Sequence, residues 1–200
     1  MRDIITLYLI ISIFITIYIS GWCYNKNTII HWLKPLPAIY LYYKSGRSEF
    51  IWAGFGDYWL NYDGSSEFYL GLICFTKFHA TLISKRLSNH ITIAMILVVL
   101  AEMMMIERQI LSIIIYTGII IYGGYRKISK GWCKRTKREG LKVLSIIWMI
   151  TSDAILAYNK YIENIALECY VVILSYWIGL LILYLGRRSF KEKEKNEIKK

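Results

Sequence analysis

Residues 90–106 read HITIAMILVVLAEMMMI. After Glu107 and Arg108 the apolar text resumes at Gln109 and runs to Tyr125 as QILSIIIYTGIIIYGGY. A helix crosses a hydrocarbon core of about 30 Å with about 20 residues, and with as few as about 17. In lipid every backbone N–H and C=O must be paired within the protein, so runs of this kind fold as helices. Two such runs split by a pair of charges mark neighbouring membrane spans.

The pattern repeats outward in both directions. Further runs lie at 4–20, 28–43, 49–60, 67–84, 140–159 and 166–186, and hydrophobic residues make up 56% of the 200-residue chain. The expected fold is an all-α, polytopic membrane bundle of eight transmembrane helices over residues 1–188. A charged, disordered cytosolic tail is expected over 189–200, where Lys and Glu dominate. The run 49–60 is short and carries an aspartate, so hydropathy alone supports it least. The first run is not expected to be a cleaved signal peptide, because Gly21-Trp22-Cys23 is a poor small-residue cleavage site.

The basic residues test this count. With eight spans, the N-terminus, the even-numbered loops and the C-terminus share one side. That side holds 20 of the 25 Lys and Arg residues; the other holds Lys26, Arg108 and Lys160, and Lys34 and Lys77 stay within helices. Positive charge is retained in the cytosol on insertion, so both termini are expected there. A wrong count would scramble the asymmetry. The same loops account for the formal charge of +11. A nucleic-acid interface would interleave basic and base-stacking residues on a folded surface, which is not the pattern here, so no nucleic-acid partner is expected. Attraction to anionic lipid headgroups is the simpler consequence. Trp22, Tyr24, Trp32, Tyr42, Tyr43, Tyr125 and Trp132 sit near span ends, as an interfacial aromatic belt requires. Cys23, Cys74, Cys133 and Cys169 form no C-x-x-C pair and no metal-type spacing with histidine, so neither a disulfide framework nor a metal site is expected.

Ionisable groups at hydrocarbon depth cost about 2.5–3.5 kcal/mol each on insertion scales, so they tend to face the interior and to act there. The candidates are Lys34, Asp57, Lys77, His79, Glu102 and Asp153. Asp57 and Asp153 stand out, on spans that both run outward from the cytosol. The plainer reading is that each aspartate bonds a neighbouring helix, that His79 is a packed core residue, and that Lys77 and Glu102 snorkel or line a polar seam. Lys34 is followed by both prolines of the chain, Pro35 and Pro37. This arrangement fits a bent helix beside a shaped cavity, or an ordinary helix start.

Taken together, these fragments resemble the YhhN-like membrane family, the lysoplasmalogenases. Lys34-Pro35-Leu36-Pro37 is similar to that family's K-P-L-P, and Gly56-Asp57 to its L-G-D. Phe68-Tyr69-Leu70-Gly71 with Phe75 and His79 is similar to F-L-x-G-x-x-x-F-x-x-x-H. Ser152-Asp153-Ala154-Ile155-Leu156-Ala157-Tyr158-Asn159 is similar to S-D-x-x-L-A-x-N, and Ser175-Tyr176 to a T-Y stretch on the last span. Two positions depart: Leu82 stands where the family has tyrosine, and Leu180 where it has glutamine. The family has eight spans, in agreement with the count from charge.

The resemblance implies hydrolysis of the vinyl-ether bond of a lysoplasmalogen to a fatty aldehyde and glycerophosphocholine or glycerophosphoethanolamine. No cofactor is implied. Such an ether is cleaved by protonating its β-carbon, which leaves an oxocarbenium ion that water captures; the hemiacetal then collapses. One carboxylic acid and one carboxylate suit this chemistry, as they do in glycoside hydrolysis. Asp57 and Asp153 are the expected pair, burial favouring the protonated form of one and Lys34 the ionised form of the other. Lys34 would otherwise bind the headgroup phosphate, with His79, Asn159, Ser152 and Tyr176 in support. The expected partners are a lysophospholipid and the bilayer. The expected location is an internal membrane in a eukaryote, or the inner membrane in a bacterium.

Two rival classes use the same residues. A small transporter or lipid-binding protein would use the buried charges as a path, and would favour Gly/Pro breaks in both halves of the chain. A cysteine protease would pair His79 with Cys74, but five residues on a helix put the two side chains off one face.

Overall fold

The computed structural model describes residues 2–20, 32–60, 65–105, 110–134, 136–162 and 168–197. They form eight α-helices and, among the described residues, no strand. The helices are α1 (Arg2–Ser20), α2 (Leu36–Ser45), α3 (Ser48–Trp59), α4 (Ser65–Ile83), α5 (Lys85–Met105), α6 (Ile110–Lys134), α7 (Lys137–Tyr161) and α8 (Glu168–Glu197). Each overlaps one of the eight apolar runs. Trp22, Cys23, Tyr24, Lys26, Arg108 and Arg135 fall outside the described residues.

Among the described residues, three stretches are long and apolar enough to cross a membrane: Lys85–Met104 on α5, Glu139–Asn159 on α7 and Tyr170–Arg187 on α8. Shorter apolar stretches occupy α1 (Asp3–Thr16) and α6 (Leu111–Arg126). At 1.5 Å per residue, α2 and α3 are about 15 Å and 18 Å long, about half of a hydrocarbon core. The outer faces are apolar. On α5 alone Ile93, Ile96, Leu97, Leu100, Met103 and Met104 are exposed, Met104 by 85%. A surface of this kind is costly in water and stable against lipid.

Contacts divide the chain into two compact units, Asn25–Arg126 and Met1–Tyr24 with Lys127–Lys200. In the first, α2 packs on α3, α3 on α4 and α4 on α5. α2 ends at Gly46, whose φ of 65° allows its N–H to bond the Tyr42 carbonyl at 2.7 Å. That left-handed turn favours glycine and reverses the chain into α3. α4 is the centre of this unit and is buried on nearly every side from Tyr69 to Leu82. Only Ser84 separates it from α5, and the two helices are tied by a 2.9 Å hydrogen bond between the Thr81 and Ser88 hydroxyls.

In the second unit α7 and α8 form the main pair and α1 packs on α8. α7 starts at Thr136, whose hydroxyl accepts from the Glu139 N–H at 3.3 Å, a side-chain cap for an otherwise orphaned donor. α7 and α8 come close where α8 lacks side chains. A Cβ at Gly179 would meet Met149 at 3.0 Å and the Ser145 carbonyl at 3.2 Å, and one at Gly186 would meet Leu141 at 3.2 Å. Small residues one heptad apart allow such approach between membrane helices. The Tyr8 hydroxyl of α1 donates to the Trp177 carbonyl of α8 at 2.8 Å.

α8 runs on to Glu197, past the end of its apolar run. Lys and Glu are good helix formers, and a helix already built across an apolar segment extends into them without a new nucleation step. Lys34 and Pro35 form a turn between helical Trp32-Leu33 and α2. Pro35 caps α2 and Pro37 lies in its first turn, where a missing N–H costs nothing. Lys34 is therefore a turn residue, half-buried, ahead of the helix.

Candidate functional site

The first unit brings together fragments that are distant in sequence. Gly54 and Gly56 of α3 flank a close contact on each side. A Cβ at Gly54 would lie 3.6 Å from the Pro35 carbonyl and 3.2 Å from Ile39, so the Lys34–Pro37 segment rests on α3. A Cβ at Gly56 would lie 2.6 Å from the Phe75 ring, so α4 packs directly on the α3 backbone. Asp57 follows Gly56 and is 2% exposed, in a buried stripe with Glu49, Phe50, Ala53 and Gly54. One turn beyond Phe75, His79 is buried. Its ring meets Phe78 at 4.9 Å and Tyr116 of α6 at 5.8 Å, both edge-on. Thr76, on the same helix, is fully buried, and its hydroxyl has no hydrogen-bond partner among the described residues. Lys34 just ahead of α2, Asp57 on α3 and His79 on α4 thus belong to one unit.

The second unit holds the remaining candidates. Ser152 is buried on α7 and donates to the Val172 carbonyl of α8 at 2.9 Å. Asp153 and Asn159 are half-buried on α7, and Tyr176 is buried on α8. Ser175, beside Tyr176, turns its hydroxyl back to the Val171 and Val172 carbonyls of its own helix, at 2.6 Å and 3.0 Å. The Ser152-Asp153 and Ser175-Tyr176 fragments are therefore neighbours across the α7–α8 interface. Asp57 and Asp153 belong to different units.

The other embedded groups have local structural roles. Glu102 ends α5 and grips the start of α6: one carboxylate oxygen accepts from the Leu111 N–H at 2.6 Å and the Ser112 N–H at 3.0 Å, and the other bonds the Ser112 hydroxyl. An anion at a helix N-terminus satisfies orphaned donors and the helix dipole together. Lys77 bonds the Asn89 side-chain oxygen. Cys74 is a buried free thiol.

Sequence reasoning missed Glu49 and Tyr116. Glu49 is 1% exposed at the start of α3, with its carboxylate 3.7 Å from the Arg47 guanidinium. Its place beside Gly46-Arg47-Ser48 reads as a polar loop, so no local signal marks it as buried. Tyr116 lies in an apolar run where nothing separates it from lipid-facing aromatics.

The architecture defines a helical protein with apolar outer faces and buried polar groups on at least four of its helices. No family model, curated protein or solved structure matches the chain.

Proposed function

We propose that the protein is an eight-span membrane hydrolase that cleaves the vinyl-ether bond of lysoplasmalogens, with Asp57 and Asp153 as its acid/base pair. The observation that carries this reading is the meeting of spaced fragments: Pro35 against Gly54, Gly56 against Phe75, and Ser152 against the segment before Ser175-Tyr176. These are the fragments by which the chain resembles the lysoplasmalogenases. They are scattered in sequence, yet they pack on one another within each unit, as residues serving one purpose do.

The chemistry follows from the groups. One aspartate delivers a proton to the β-carbon of the vinyl ether. The oxocarbenium ion that forms is stabilised by the other carboxylate, which also takes a proton from the attacking water. The hemiacetal collapses to the aldehyde and the glycerophospho-alcohol. Lys34, half-buried at the head of α2, suits the headgroup phosphate. His79 and Asn159 orient a carboxyl or water, and Ser152 and Tyr176 hold α7 against α8. Eight spans with cytosolic termini follow from the 20-to-3 partition of basic residues, and the shortness of α2 and α3 is met by local thinning of the bilayer or by packing within the protein.

A small transporter is the rival. The helix break at Lys34-Pro35 beside a buried aspartate favours it, since broken helices line translocation sites. The α7–α8 pair carries no such break. Incubating purified protein with a lysoplasmalogen and with an ester-linked lysolipid separates the two. The hydrolase releases aldehyde from the first alone; a transporter releases none and moves lipid or ion across proteoliposomes.

A further inference from the structure

The α4–α5 hairpin carries a cation that the hydrolase reading does not use. Lys77 lies on α4, six residues before its end at Ile83, or about 9 Å along the axis. Its ammonium reaches forward to Asn89, four residues into α5, and so sits about 6 Å from the start of that helix. Trp52 of α3 closes the other side, its ring centroid 6.0 Å from Nζ. Beneath this group the Thr81 hydroxyl donates to the Lys77 carbonyl at 2.7 Å and pairs with the buried Ser88 hydroxyl. The seam is polar through two turns of helix, between faces that are otherwise apolar.

Both partners of Lys77 are neutral, and among the described residues it forms no ion pair. An ammonium has three N–H donors, and Asn89 takes one. The residue is half-exposed, so donors remain that water or a ligand can meet. Lys85 stands one turn before Asn89, on the same side of α5, and is exposed. Two cations thus lie near one amide, where the apolar stretch Lys85–Met104 begins. A lysine there, with its stem along apolar surface and its head at the interface, is stable only where an anion or water meets it. Anionic headgroups concentrate at such a surface. His79 is two residues from Lys77 and so faces another side of α4, which separates this seam from the Asp57 region.

We propose that the seam formed by Lys77, Asn89 and Lys85 binds the phosphate of an anionic phospholipid of the surrounding leaflet. The ammonium groups pair with the phosphate oxygens, the Asn89 amide N–H adds a third donor, and the acyl chains lie along the exposed face of α5.

The test is native mass spectrometry of the full chain in neutral detergent, titrated with phosphatidylglycerol, with phosphatidylcholine and with inorganic phosphate. Phosphatidylglycerol binds most tightly to the wild type, and Lys77→Met weakens it by about tenfold, the loss of one charge-assisted contact. Phosphatidylcholine binding stays unchanged. Equal phosphatidylglycerol affinity in wild type and Lys77→Met overturns the proposal, as does saturation of the same site by inorganic phosphate alone. If Lys77→Met does not survive purification, Lys85→Gln changes an exposed side chain and carries the same comparison. A several-fold loss is expected there, and none refutes the lipid site.

Discussion

Asp57 owes its setting to its neighbour. Gly56 leaves room for the Phe75 ring to lie on the α3 backbone, and the next residue, Asp57, is buried. A methyl group at position 56 would sit 2.6 Å from that ring. The ring is rigid and buried, so Gly56→Ala forces α3 and α4 apart at a cost of about 1–3 kcal/mol. Gly118→Ala meets nothing within 4 Å, and replaces a poor helix former by a good one, a gain of about 0.5–1 kcal/mol. Thermal unfolding of both variants in detergent should move in opposite directions. His79, buried on α4, is held by its aromatic neighbours. Its ring is packed between Phe78 and Tyr116, so any role in catalysis depends on the order this packing gives it.

Among the helices, the least expected link is Glu102. The sequence offers it as a buried acid in an apolar run, and nothing local says whether it acts on substrate or on structure. Spacing settles little here, because its partners, Leu111 and Ser112, belong to the next helix. With three hydrogen bonds to the first residues of α6, it is the clasp of the α5–α6 hairpin. Glu102→Ala leaves buried donors unpaired and costs about 1–3 kcal/mol. Amide exchange at Leu111 and Ser112 should then speed up, while exchange in α7 and α8 stays as it was; uniform exchange across the chain would deny the clasp. The helices themselves were legible, since uninterrupted apolar text leaves the backbone no other way to satisfy its polar groups. α2 was the least legible, because Pro35 and Pro37 fit a kink as well as a start. The end of α8 was not legible either, because a helix built on an apolar run can continue into Lys and Glu, which are good helix formers.

For the whole molecule, the charge partition legible in the sequence predicts sidedness, while three helices of membrane-crossing length among the described residues support the membrane setting alone. The division into two units was not legible. It depends on close approaches such as those at Gly179 and Gly186, which no local pattern announces. Three of the four cysteines provide a direct check of topology. In sealed vesicles a membrane-impermeant thiol reagent should reach Cys133 from the cytosolic face and Cys23 and Cys169 from the opposite face. Labelling of Cys23 and Cys133 from the same side would remove the eight-span arrangement. The most direct measurement of the central claim is aldehyde release from lysoplasmalogen by wild type, Asp57→Asn and Asp153→Asn, each checked for retained fold. Wild type should release aldehyde, each variant should lose at least about 100-fold in rate, as the removal of an acid or base group does, and the double variant should fall little further. Aldehyde release at the wild-type rate by either folded variant would contradict the assignment, and none from the wild type would contradict the activity itself.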